Sequence, residues 1–182
     1  MNISVKTNTY VFLTMLLFFI PVRWIISWVI AISFHELCHF LAVRLCNGKI
    51  YHLTIGLGGA EMQCGNMSDK CLLISVLCGP IGGLLLAFWG QWIPRIALCS
   101  FVLSLYNLIP LLPLDGGRAL YILSGERKWF YFFQKFILII MFLLALFFAF
   151  SMKLGLLPIA IVAILYWKHR KIPCKESRCR VQ

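Results

Sequence analysis

His35, Glu36 and His39 stand in the stretch ISFHELCHFLAV, residues 32–43, among apolar side chains and ahead of Arg44. On a helix, residues four apart share a face, so the two histidines can hold one metal ion between them. Glu36 is adjacent and can reach a water beside that metal. This is the H-E-x-x-H arrangement of zinc hydrolases. Zinc acidifies its water and polarises a peptide carbonyl. Glu36 would take the water's proton and pass it to the leaving amine. The competing reading is a polar patch that bridges helices by hydrogen bonds. Burying Glu36 with two histidines and no metal is costly, and ionisable residues in a membrane span are usually functional.

A catalytic zinc of this kind needs a third protein ligand, with water in the fourth place. Outside the motif the acids are Glu61, Asp69, Asp115, Glu126 and Glu176, and the histidines are His52 and His169. Asp115 stands out in YNLIPLLPLDGGR, at the end of an apolar run. Pro110 and Pro113 break the helix there. Gly116 and Gly117 permit close approach of neighbouring backbone. Broken backbone at membrane depth is tolerated only against protein or a wet cavity. A capping aspartate in a helix-ending turn would explain Asp115 alone. Beside HELCH, in a chain this poor in acids, the ligand reading is preferred.

The elements that must hold these residues are membrane elements. The chain has 182 residues, 62% hydrophobic and 13% charged, with a net charge of +11. A soluble domain could not cover that much apolar side chain. The basic residues lie between apolar runs and in the tail, a pattern of topology and headgroup contact, not of nucleic-acid binding. The eight cysteines are scattered singly, unlike a disulfide framework, and Cys174 and Cys179 are too few for a metal site of their own.

Apolar runs cover Thr7–Ile20, Val22–Leu45, Cys71–Trp92, about Pro94–Leu112, Trp129–Phe150 and about Leu154–Trp167. The first is short for a span. The N-terminus has one lysine and no small-residue cleavage site, so no removable signal peptide is expected. Alternation over Ile50–Ile55, then Gly56, Gly58 and Gly59, then a stretch to Cys64, predicts a β-hairpin with a glycine-rich turn. Residues 113–128 predict a polar loop, and the charged tail is too short to fold alone. Six spans put Lys6, Arg44, Lys49, Lys70, Arg118, Arg127, Lys128 and the basic tail on one side, with Arg23, Arg95 and Lys153 opposite. The basic side is then cytoplasmic, with HELCH near that end of its helix.

The motifs HELCH and NLIPLLPLDGG resemble the two signatures of the site-2 protease family, the zinc intramembrane metalloproteases. GPIGG, residues 79–83, is similar to the family's intervening GxxxN/S/G element, with Gly83 where many relatives have asparagine. The resemblance covers about residues 22–125. It implies His35, His39 and Asp115 as ligands of one zinc, Glu36 as base, and Asn107 as a group that orients substrate or stabilises the oxyanion. The layout is most similar to the stage IV sporulation FB branch, whose members usually carry a CBS domain that this chain lacks, so regulation through one is not implied.

The expected protein is therefore an α-helical polytopic membrane protein with about six transmembrane helices and a small membrane-associated β-hairpin. One domain spans residues 1–182, with a catalytic core at 22–125 and a basic cytoplasmic tail at 168–182. It is expected in the cell membrane, with both termini and the active site toward the cytoplasm. Its partners would be a transmembrane protein substrate and the bilayer, with no nucleic acid. The alternatives are a non-hydrolytic metal-binding membrane protein or a transporter, although no internal repeat favours transport. Opening a helical substrate frees backbone groups that need partners. An exposed edge on strand Ile50–Ile55 would take them up by strand addition, with Thr54, Gly56, Gly58 and Gly59 as the substrate-binding residues. His52 lies in the same strand and is most simply hydrogen-bonded.

Overall fold

The computed structural model describes residues 2–5, 21–56, 59–65, 67–125, 128–151, 163 and 180–181. The run Thr7–Ile20 and, apart from residue 163, the run Leu154–Trp167 lie outside the described residues, and with them the count of six spans. Five helices are described: α1 Val22–Leu45, α2 Asp69–Ala87, α3 Pro94–Asn107, α4 Asp115–Ser124 and α5 Lys128–Ser151. Three stretches, Val22–Leu45, Asp69–Ala87 and Trp129–Phe147, are helical, long and apolar enough to cross a membrane. They keep large apolar side chains on the outside, among them Ile26, Val29, Leu85, Phe132, Ile139 and Phe147. Buried Ser27, His35, His39, Ser75, Ser100, Ser104, Asp115 and Gln134 lie inside instead. That polarity is inverted relative to a water-soluble bundle and suits helices whose solvent is lipid.

Local sequence explains where these helices start and stop. Ser68 accepts a hydrogen bond from the backbone of Cys71 and caps α2. Pro94 opens α3, where a missing N–H costs nothing. Pro110 follows shortly after α3, which ends at Asn107 rather than near Leu112. The segment read as a polar loop is corrected: Asp115–Ser124 within it folds as α4. Ala119 and Tyr121 are buried on two different sides of that helix, and Gly125 at φ +62° ends it in the left-handed conformation.

Glycines let α2 sit in the middle of the bundle. A Cβ on Gly79 would run into the His39 ring of α1, and one on Gly83 would strike the Ser104 hydroxyl of α3. Ser100 donates a 2.9 Å hydrogen bond to the Gly83 carbonyl. Small residues with inter-helix hydroxyl contacts are the usual adhesive where lipid removes the hydrophobic drive.

The strands are β1 Asn2–Val5, β2 Ile50–Gly56, β3 Gly59–Cys64 and β4 Arg180–Val181, in the spatial order β1-β2-β3-β4. β2 and β3 pair antiparallel, from Ile50↔Cys64 to Gly56↔Gly59. β1 lies parallel to β2, with Asn2↔His52 and Val5↔Ile55. This corrects the expected open edge on Ile50–Ile55: residues 2–5 already occupy it. The tail also contributes, since Arg180 and Val181 pair with Gln63 and Met62. Met62 and Cys64, two apart on β3, turn to one face. They pack there with Val43 of α1, Leu72 and Val76 of α2 and Ala119 of α4.

Candidate metal centre

α1 contributes His35 and His39 one turn apart, both buried. Their Nε2 atoms stand 3.2 Å from each other. Asp115 is the first residue of α4 and is also buried. Its Oδ2 lies 3.2 Å from Nε2 of His35 and 3.3 Å from Nε2 of His39. The residue before it, Leu114, is the N-cap, with no side-chain capping bond. Asp115 is thus not a capping residue. Its carboxylate sits in the first turn, where the helix dipole favours negative charge, and faces the imidazoles.

These distances fit a metal. In a tetrahedral zinc site with bonds of about 2.0–2.1 Å, the donor atoms stand about 3.3–3.4 Å apart. The three edges found here, 3.2, 3.2 and 3.3 Å, match that spacing. The tautomer fits as well. Nδ1 of His39 is 2.7 Å from the Ser75 carbonyl of α2. A carbonyl only accepts, so Nδ1 carries the proton and neutral His39 offers its Nε2 lone pair to the cluster. The Asp115 Oδ1 and His35 Nδ1 atoms are buried without a hydrogen-bond partner. Among the described residues, His35, His39 and Asp115 are the group whose donor atoms could hold a metal ion.

Glu36 follows His35 on α1 and is half-buried. Asn107, the last residue of α3, brings its Nδ2 to 3.5 Å from Nε2 of His35. Four elements thus converge: α1 with the histidines, α2 with the Ser75 carbonyl, α3 with Asn107 and α4 with the carboxylate. Thr54, Gly56 and Gly59 lie elsewhere, in the sheet, where Thr54 pairs with Ser4 on one side and Glu61 on the other. Gly58 lies outside the described residues. His52 is exposed on β2.

One contributor was not singled out in the sequence: the Ser75 contact is made by backbone, so its residue type carries no signal. Gly79, the first glycine of GPIGG, was marked there through the resemblance, and it lies under the His39 ring.

Fold and site together define a class: an apolar helical bundle in which one long helix and the start of a second hold a buried His-His-Asp donor set. Among solved structures the chain is similar to the site-2 protease from Methanocaldococcus jannaschii, at 21% sequence identity and a TM-score of 0.67, over 97% of this chain and 92% of that one. The likeness to site-2 proteases expected from the two motifs is therefore found in the fold. No protein-family model matches the sequence, and no curated protein matches it.

Proposed function

We propose that the protein is an intramembrane zinc metalloendopeptidase, cutting a peptide bond within or near a transmembrane segment of another membrane protein. The observation that carries this reading is the buried triangle of His35 Nε2, His39 Nε2 and Asp115 Oδ2 on apolar helices, with edges of 3.2–3.3 Å. The M. jannaschii likeness supports it through the fold.

In this reading His35, His39 and Asp115 hold zinc, one per chain. When bound, zinc supplies Lewis acidity toward a carbonyl oxygen and acidifies a water beside it. Glu36 accepts a proton from the attacking water and returns it to the departing nitrogen. The C–N bond breaks, the carbonyl carbon keeps the water oxygen, and the products are a carboxylate and an amine. The Asn107 Nδ2–H group donates a hydrogen bond to the carbonyl oxygen as charge builds on it. The Ser75 carbonyl keeps the His39 ring in the tautomer that can serve as a ligand. The chain acts as one catalytic unit in the cell membrane, opened toward the cytoplasm.

Metal analysis and a cleavage assay in liposomes test this. The purified protein should carry about one zinc per chain. Glu36→Gln should keep the metal and lose cleavage. Asn107→Ala should also keep it, and lower kcat by on the order of 10²-fold. A protein that takes up no zinc would defeat the reading, and cleavage by Glu36→Gln would remove the base. Full zinc with no cleavage of any membrane-protein panel would favour the non-hydrolytic alternative.

A further inference from the structure

The segment between Asn107 and Asp115 is broken backbone inside an apolar bundle, so each of its polar groups needs a partner. Its N–H groups can be counted. Leu108 donates to Ser104 at 2.9 Å, Ile109 to Tyr106 at 3.2 Å, Leu111 to Ile109 at 2.7 Å and Leu114 to Leu111 at 2.8 Å. Pro110 and Pro113 have none to offer. Of these N–H groups, Leu112 alone must look beyond the segment and the last turn of α3, and it donates to Oε1 of Gln134 on α5 at 2.9 Å. The same side chain returns a bond, with Nε2 donating to the Pro110 carbonyl at 2.8 Å. Gln134 is fully buried. One amide therefore completes both the donor and the acceptor that two prolines leave behind.

What Gln134 holds is the seat of the carboxylate. A Cβ on Gly116 would strike the Leu108 and Ile109 carbonyls, and one on Gly117 would strike the backbone of Leu111 and Leu112. The first turn of α4 thus rests directly on the backbone of residues 108–112. Leu111 and Leu112 are themselves buried, Leu111 against Leu138 of α5 and Leu112 beside Tyr121 and Phe130. A shift of Leu112 moves the surface on which Gly116 and Gly117 sit, and Asp115 with them.

We propose that Gln134 is a positioning residue of the metal centre: its amide clasps Pro110 and Leu112 and so fixes Asp115 against His35 and His39. This rests on the metal-site reading above for its consequence, but not for the clasp itself. Lipid cannot substitute for the amide, because hydrocarbon offers neither donor nor acceptor. The segment 108–114 carries no titratable side chain. The charged groups next to it are Asp115 and Arg118 at the start of α4, and exposed Lys135 on α5.

Gln134→Met and Gln134→Glu, in the full-length protein, test the proposal. Methionine keeps the length and loses both bonds. Its zinc affinity in a chelator competition should fall about 10- to 100-fold, the usual effect of losing a group that orients a ligand. Its kcat should fall with KM within about twofold, as for a misplaced reacting group and not a lost substrate contact. Amide exchange over residues 108–114 should quicken, a readout that needs no metal. Glutamate can replace the whole clasp only when protonated. Relative to wild type at the same pH, its zinc affinity should approach parity near pH 6 and fall as the carboxyl ionises. Zinc affinity and exchange unchanged in Gln134→Met would overturn the proposal. So would a Gln134→Glu deficit that does not vary with pH, which would indicate lost packing and not lost hydrogen bonds. If methionine prevents folding, the glutamate series decides alone. Wild-type protein that binds no zinc defeats the metal reading instead, and exchange at Leu112 still judges the clasp.

Discussion

At the residue scale, the ring of His39 is fixed from two sides by one helix. The Ser75 carbonyl holds Nδ1, and the bare backbone of Gly79 leaves room for the rest of the ring. Any side chain at 79 must displace the imidazole, because close-packed interiors have no slack to absorb a methyl. Gly79→Ala is therefore expected to lower zinc affinity at least tenfold, measured by chelator competition. Gly90→Ala is the matched control. Its Cβ would meet only the Ala87 carbonyl at 3.3 Å and the Ala97 methyl at 3.6 Å, and it should bind zinc like the wild type. His35, His39 and Asp115 were legible in the sequence because charged and imidazole groups are rare and costly in apolar runs. Gln134 was not. A single amide in Trp129–Phe150 has many ordinary explanations, and its two partners are backbone atoms of other residue types.

At the scale of elements, the sheet is where sequence and structure part. Alternation within residues 50–64 marked the strands β2 and β3, since pairing between neighbours in sequence leaves a local pattern. β1 left none: four residues pair with a strand about fifty positions away, and short parallel pairings carry no local signature. Likewise α4 was hidden by Pro113 just before it and by the glycines and charges at its start. The β1–β2 pairing changes what the sheet can accept. A substrate strand seeking the β2 edge must displace residues 2–5. Deleting residues 1–5 should expose that edge and lower KM for an extended peptide several-fold, with bound zinc unchanged. An unchanged or higher KM would place substrate at the outer strand β1 or away from the sheet.

At the scale of the whole molecule, α1 and α2 run in opposite directions. Cys46, just after α1, approaches the Cys71 carbonyl at the start of α2. The far end of α2 leads to a turn where Phe88, Trp89 and Trp92 are exposed. Aromatic residues of this kind favour the interface between lipid and water. Asn47 and Gln91 thus mark opposite ends of the bundle. With the native cysteines replaced, a cysteine at 47 should be labelled from the cytoplasm and one at 91 from outside. Labelling of both from the same face would reject a membrane-crossing α2.

The donor set also has an order in time. His35 and Asp115 are 80 residues apart, and the chain is made from the N-terminus at about 5–20 residues per second. Two imidazoles therefore exist for roughly 4–16 s before their carboxylate is synthesised, and Gln134 comes later still. A half-made chain can already lay α1 beside α2, yet it presents an incomplete set of ligands. The three donors can therefore meet only once the second half of the bundle has arrived.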